Sequence, residues 1–181
     1  MKVIDDYLPE DEVNALNDLH IEYAKVHWIG WEYKTTTNPL IDLVMSTKST
    51  LRERAHGATA WYNVRPIDPK WHNDIDSYCS YNRKSYYPNE LPKHTFIYYM
   101  KSSDKGGSLE IETGDLIRPK INRLVRFPCW YAHRVQPYEG NRVSIGIIWW
   151  YDLPSIYCEL NEYDTVALDR VWEKEDAKPY K

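Results

Sequence analysis

Phenylalanine is scarce in this chain of 181 residues, with two against sixteen tyrosines and eight tryptophans. Most large rings therefore carry a polar end that needs a partner when buried, which suits a barrel with a wet interior. Cysteine is scarce too. Cys79, Cys129 and Cys158 are odd in number, far apart and without CxxC spacing, which argues against a disulfide framework or a zinc ribbon and fits a reducing cytoplasm. An excess of positive charge is missing: the net charge is -4, the pI is near 5.9, and Lys and Arg are scattered among acids. No basic stripe is available for a phosphate backbone, so nucleic acid is not an expected partner. Long apolar runs are lacking as well. The longest, Val143 to Tyr151, is too short to span a bilayer, and the first residues, Met1-Lys-Val-Ile-Asp-Asp-Tyr7, place acids where a signal peptide needs an apolar stretch. The expectation is a soluble, unprocessed cytoplasmic protein with no membrane partner.

A chain of this length can bury a core without disulfides or a structural metal, and a single domain over 1–181 is expected. Residues 1–57 read as helical support. Val13, Leu16, Leu19, Tyr23 and Val26 form an amphipathic stripe over Glu10 to His27, with acids in the first turn, and a second helix is expected over Pro39 to Leu51. Residues 58–152 read as a mainly β core. Its strand-like runs are Ala58–Val64, Trp71–Asp74, Thr95–Lys101, Ser108–Glu112, Arg123–Phe127, Ala132–Gln136 and Arg142–Tyr151, with turns at Gly106-Gly107, Gly114-Asp115 and Gly140-Asn141. Such spacing is that of a sandwich or barrel. The last run alternates, with Arg142, Ser144, Gly146 and Ile148 on one face and Val143, Ile145, Ile147 and Trp149 on the other. Its apolar outer face needs a cover, for which the N-terminal helices are the available material. Residues 153–181 form a tail with one further helix near Tyr163 to Glu175.

Two histidine–carboxylate pairs with one residue between them occur, His72-Asn-Asp74 and His20-Ile-Glu22. Side chains at i and i+2 point the same way from a strand but diverge on a helix, so only His72 and Asp74 can hold one ion together. A third ligand from a distant strand would complete a two-histidine, one-carboxylate face. That set leaves positions open for a bidentate ligand and dioxygen, and it suits non-heme Fe(II) better than a closed zinc tetrahedron. His133, in Ala132-His-Arg-Val135, is the candidate. Arg142 follows nine residues later across a short turn, and its planar fork matches a carboxylate, with Ser144 able to donate to the same anion. Each residue has a bland reading alone: a surface turn for His72 and Asp74, a satisfied core histidine for His133, a salt bridge for Arg142. Their order, spacing and facing agree, which accidents seldom produce.

With these residues in view, the chain resembles the prolyl hydroxylase branch of the Fe(II)/2-oxoglutarate oxygenases, the collagen-type and oxygen-sensing enzymes included. The likeness runs from about Ala58 to Asp152 through Trp61-Tyr62, His72-Asn-Asp74, Phe96-Ile-Tyr-Tyr-Met100, Gly106-Gly-Ser-Leu109, Ile117-Arg-Pro-Lys120, Leu124-Val-Arg-Phe127, His133-Arg-Val135 with Pro137, and Arg142-Val-Ser144 leading to Trp149. The resemblance implies a double-stranded β-helix, a cupin-like jelly roll. It implies Fe(II) on His72, Asp74 and His133 as the catalytic centre, and 2-oxoglutarate on Arg142 and Ser144. It further implies Tyr62 and Tyr99 facing that co-substrate, Tyr98 pointing outward, and ascorbate as a reductant. The implied reaction is hydroxylation of an unactivated C–H bond of a prolyl residue in a protein or peptide, consuming dioxygen and releasing succinate and CO2. The same chemistry on a free amino acid or small metabolite is the alternative. A non-catalytic jelly-roll binding module is the alternative of a different class, and it predicts no metal. A zinc hydrolase would have no use for Arg142 and Ser144. The chain departs from the family in the long connection Ile75 to His94, which carries Tyr78, Tyr81, Arg83, Tyr86 and Tyr87 and reads either as a cover over the substrate or as a surface loop. Asp76, within it, is an alternative carboxylate ligand.

Overall fold

The computed structural model describes residues 1–19, 26–30, 38–51, 55, 57–63, 70–74 and 94–151. In chain order the elements are β1 (Lys2–Ile4), α1 (Glu10–Asp18), β2 (Val26–Gly30), α2 (Pro39–Lys48), β3 (Gly57–Asn63), β4 (His94–Lys101), β5 (Lys105–Gly106), β6 (Leu109–Ile111), β7 (Leu116–Ile117), β8 (Arg123–Pro128), β9 (His133–Val135), β10 (Tyr138–Glu139) and β11 (Val143–Trp150). The large sheet has the order β1-β8-β4-β11-β3-β2, a small one the order β7-β6-β9, and β5 pairs with β10; every pairing is antiparallel. This is the jelly-roll architecture expected of residues 58–152. The expected helix near Tyr163 to Glu175, the connection after Asp74 with Asp76, and the pair His20 and Glu22 lie outside the described residues. Among the described residues no helix is long and apolar enough to cross a membrane.

Residues 1–57 supply strands as well as helices. The acids Glu10, Asp11 and Glu12 complement the positive end of α1, but the helix ends at Asp18 and Leu19 is already extended. The stripe expected to run as helix to His27 instead yields β2, which pairs Val26 with Trp61 and Gly30 with Gly57. Val26, Trp28 and Ile29 are residue types that fit a pleated surface, and the edge of β3 offers unpaired backbone groups. The second helix starts as expected. Asn38 accepts hydrogen bonds from the backbone N–H of Leu40 (3.0 Å) and Ile41 (3.4 Å), and Pro39 needs no partner in the first turn. It closes at Lys48, short of the expected Leu51.

The large sheet buries both faces. On the outer face Val143, Ile145, Ile147 and Trp149 of β11 join Phe96, Tyr98 and Met100 of β4 and Leu16, Leu40, Leu43 and Val44 of the helices in one cluster. Trp149 donates its Nε1–H to Thr47 Oγ1 of α2 at 2.8 Å, so the cover expected over this strand is the N-terminal helical pair. On the inner face Ile97, Tyr99, Val125 and Phe127 meet Leu109, Ile111 and Ile117 of the small sheet. The two layers of a jelly roll close around this second cluster, and the chemistry-bearing side chains lie at its margins.

Candidate active site

The segment 70–74 forms a single bridge, not the strand expected over Trp71–Asp74. His72 N–H donates to His133 O (3.1 Å), His133 N–H returns to His72 O (2.8 Å), and Asp74 N–H reaches Cys129 O (3.0 Å). Those three bonds, rather than strand alternation, set His72 and Asp74 beside His133. One ligand atom from each of the three lies within 4.8 Å of the other two. His72 Nε2 is 4.0 Å from Asp74 Oδ1, and His133 Nε2 is 3.6 Å from Asp74 Oδ2.

The imidazoles are oriented for a cation. Nδ1 of His72 is 3.1 Å from Lys70 O, and Nδ1 of His133 is 3.1 Å from Tyr131 O. A carbonyl only accepts, so each Nδ1 carries a proton, and it is the Nε2 of each ring that faces Asp74 and is left to ligate in the neutral tautomer. Burial lowers the pKa of His133, with the Asp74 carboxylate pulling the other way, and the neutral ring is the form that ligates. Phe127 packs edge-on against His133 at 4.9 Å between centroids. Arg134, the next residue, turns the opposite way to bond Glu110 at 2.7 Å and to lie 4.8 Å from the Trp71 ring centroid, bracing the segment that carries His72.

Thr95, on β4 and fully buried, donates its hydroxyl to Asp74 Oδ2 at 2.6 Å. Sequence reasoning missed this residue; its parity with Ile97 and Tyr99 was the available signal. The Cys129 thiol beside the pair is pushed up to about 12, by burial first and by Asp74 second, so it stays a neutral thiol.

A second polar group at the margin of the inner cluster is built around Arg142, beside Tyr99. It precedes β11, whose register shifts between Val143 and Ser144, and its guanidinium donates to Ser144 Oγ at 3.2 Å. Gly106 and Gly107, both at positive φ, let the β5–β6 turn close against it: a Cβ on Gly107 would fall 3.0 Å from Arg142 Cδ, and one on Gly106 would strike Pro137 O. The Arg142 side chain lies close to two rings, its Cζ 5.1 Å from the Tyr99 centroid and 5.7 Å from that of Tyr138. Arg142 is 3 % exposed, yet no carboxylate among the described residues pairs with it. Its Nε, the Tyr99 hydroxyl and the Tyr138 hydroxyl are buried without a hydrogen-bond partner among the described residues. Burial raises the pKa of Tyr99 while the Arg142 cation draws it down, so the phenol keeps its proton and is a donor.

A buried cation costs several kcal/mol unless compensated, and each orphaned donor adds about 1–3 kcal/mol. Such a cluster is a cradle for an anion rich in acceptors. The carboxylate of a 2-oxo acid fits it, and the two-histidine, one-carboxylate set fits a ferrous ion with open positions.

Tyr62 is not brought to this cavity. It pairs in register with Ile145, not with Ser144 or Gly146, and lies in the outer cluster, where burial pushes its hydroxyl up to about 12. Trp61 takes the inner face in its place. Its ring lies against Gly146, where a Cβ would approach within 2.4 Å of the indole, so β11 needs a glycine there. The expectation put the wrong member of the pair Trp61-Tyr62 inside, because alternation alone does not say which face of β3 is inner. Tyr98 does point away from the cavity, as expected, but is fully buried beneath the N-terminal segment.

A sequence model of the 2OG-Fe(II) oxygenase superfamily matches residues 58–151, more than half the chain. No curated protein sequence matches. Similar solved structures include a viral collagen prolyl hydroxylase from Paramecium Bursaria Chlorella virus-1 in complex with 2OG, at 17% identity and TM-score 0.55, covering 84% of this chain and 95% of that one. A Pseudomonas putida prolyl-4-hydroxylase has 14% identity and TM-score 0.55, covering 82% of this chain and 91% of that one. A Trichoplax adhaerens prolyl hydroxylase in complex with a hypoxia inducible factor peptide fragment has 16% identity and TM-score 0.53, covering 83% of each chain. These likenesses establish the shared fold. The matched core and its fold place the chain in the 2OG-Fe(II) oxygenase superfamily, as a dioxygenase that depends on Fe(II) and 2-oxoglutarate.

Proposed function

We propose that His72, Asp74 and His133 hold the iron, that Arg142 holds the distal carboxylate of 2-oxoglutarate, and that the substrate is a prolyl residue of a protein or peptide. One observation carries the reading: a buried arginine with no carboxylate partner among the described residues and a two-histidine, one-carboxylate cluster both border the inner apolar cluster, Arg142 at Tyr99 and His133 at Phe127. When bound, iron and 2-oxoglutarate supply the oxidising chemistry, in which decarboxylation to succinate and CO2 accompanies insertion of one atom of dioxygen into a C–H bond. The chain's residues bind, orient and exclude water. Arg142 and Tyr99 fix the distal carboxylate by charge-assisted hydrogen bonds, and Ser144, which accepts from Arg142, keeps its own proton to donate. Thr95 holds the Asp74 carboxylate in place from behind. Val125, Phe127, Leu109 and Ile111 form a dry wall on one side. His72, whose side chain is 57% exposed, marks the open side by which a substrate enters.

The peptide assignment is supported by fold neighbours that are prolyl hydroxylases, one of them in complex with a peptide. The test is anaerobic loading with Fe(II), followed by air, 2-oxoglutarate and ascorbate as reductant, with proline-containing peptides compared against free amino acids. Peptide-dependent succinate release, with the mass of one added oxygen on proline, is the expected result. Turnover with a free amino acid and none with peptides would replace the substrate while keeping the chemistry.

A further inference from the structure

The Tyr138 hydroxyl is the one buried orphan near Arg142 that the reading above leaves unused. Tyr138 begins β10, directly opposite Gly106 of β5, and the left-handed glycine pair at 106 and 107 draws this turn against the mouth of β11. The packing is close: a Cβ placed on Gly107 would lie 3.0 Å from Arg142 Cδ and 3.2 Å from Tyr138 Cβ, so both side chains leave the backbone around one point. The centroids of the Tyr138 and Tyr99 rings lie 5.7 Å and 5.1 Å from Arg142 Cζ respectively.

Two rings alone would suffice to sandwich the guanidinium, and phenylalanine would do it without an unsatisfied hydroxyl. Tyrosine at both places adds two donors beside one cation. Arg142 itself has only donors, and its Nε–H has no acceptor among the described residues. Neither phenol oxygen accepts from that Nε in hydrogen-bond geometry, so all three groups keep a proton to donate. A carboxylate offers about four acceptor sites on two oxygens. It can take one bond from each hydroxyl and still receive the guanidinium.

We infer that Tyr138 is a third binding residue for the distal carboxylate of 2-oxoglutarate, its buried hydroxyl donating beside Arg142 and Tyr99. This rests on the assignment of Arg142 to the co-substrate. In register the two tyrosines belong to different sheets, β4 of the large one and β10 of the β5–β10 ribbon, so the carboxylate ties the ribbon to the barrel wall. Acids lacking the distal carboxylate gain nothing from the arrangement, which makes Tyr138 a selectivity residue for a dicarboxylic co-substrate.

The experiment compares wild type, Tyr138→Phe and Arg142→Lys, all loaded anaerobically with Fe(II). Dissociation constants for 2-oxoglutarate and for 2-oxopentanoate, which lacks the distal carboxylate, are read by calorimetry. Tyr138→Phe keeps the ring against Arg142 and removes only the hydroxyl. The expected result is about tenfold weaker 2-oxoglutarate binding, in line with the loss of a hydrogen bond to a charged group, with 2-oxopentanoate and Fe(II) affinities unchanged. Unaltered 2-oxoglutarate binding in Tyr138→Phe, alongside a large loss in Arg142→Lys, would overturn the assignment of Tyr138 alone. Equal weakening of both acids would also overturn it, since that is the signature of a packing role. Unaltered binding in both variants would remove the Arg142 assignment and this inference with it.

Discussion

Tyr98 and Tyr99 are neighbours on one strand, both fully buried, and they differ in a single respect that separates structure from function. The Tyr98 hydroxyl donates to Asn122 Oδ1 at 3.1 Å, and the same Asn122 side chain accepts from Leu8 N–H at 2.9 Å and donates to Leu8 O at 2.8 Å. Among the described residues no buried side-chain polar atom on that side is left without a partner, and the N-terminal segment is pinned across the sheet. The Tyr99 hydroxyl, facing the other way, has no partner among the described residues and lies beside a buried cation in the same condition. The outer face of the large sheet thus resembles a finished core. The inner margin carries unsatisfied donors and a cluster of His72, Asp74 and His133 that could hold a metal ion, groups whose burial costs free energy until something completes them.

The comparison breaks most completely at the metal. Asp74→Ala removes the one carboxylate of the triad, and Fe(II) binding by calorimetry is expected to vanish along with turnover. The chain should remain folded, because Asp74 contributes only one wall of the cavity. Next in size is Arg142. Arg142→Lys keeps the charge but loses the fork, and 2-oxoglutarate affinity is expected to fall about 100-fold with iron binding intact. Arg142→Met makes the converse point: without ligand its thermal midpoint should equal or exceed that of wild type, because a buried charge with no partner is replaced by apolar volume. A clear drop in stability would show that the arginine is already compensated in the ligand-free fold.

The tyrosine pair sharpens the contrast further. Tyr98→Phe leaves Asn122 short of a donor and should cost about 1 kcal/mol in denaturant unfolding with no change in 2-oxoglutarate affinity. Tyr99→Phe should do the reverse, leaving ligand-free stability unchanged and weakening 2-oxoglutarate by about tenfold or more. An effect of similar size is expected at Thr95. Thr95→Val keeps the volume and removes the 2.6 Å bond to Asp74, so Fe(II) affinity should fall about tenfold while the ligand-free fold is maintained.

Much of this was legible in the sequence, and for identifiable reasons. Alternation along 142–149 placed Ser144 and Gly146 opposite Ile145 and Ile147, and the demand for a cover over that second face anticipated the packing of α2 on Trp149. The spacing of His72, Asp74 and His133 led to three residues whose ligand atoms the fold brings within 4.8 Å of one another, and Arg142 to a buried cation beside Tyr99. What alternation could not supply was absolute facing. Trp61 and Tyr62 exchange faces on a one-residue choice of register, which depends on β2 and β11 rather than on β3 itself. Nor could it find β2, whose residues continue a helical stripe and become a strand because a sheet edge is there to receive them. Tyr138 was hidden for a similar reason: its turn looked like a connection, and only the Gly106-Gly107 geometry presses it onto Arg142.

On the proposed reading the unsatisfied inner margin is a joint site for ferrous iron and a bidentate 2-oxo acid. That claim is tested most directly by anaerobic titration of the ligand-free protein with Fe(II) and 2-oxoglutarate, following the metal-to-ligand charge-transfer absorption that arises when such an acid chelates ferrous iron. The band should appear in wild type, require both additions, and be lost in His133→Ala. A folded wild-type protein that never develops it would contradict the claim and leave the donors around Arg142 in want of a different anion.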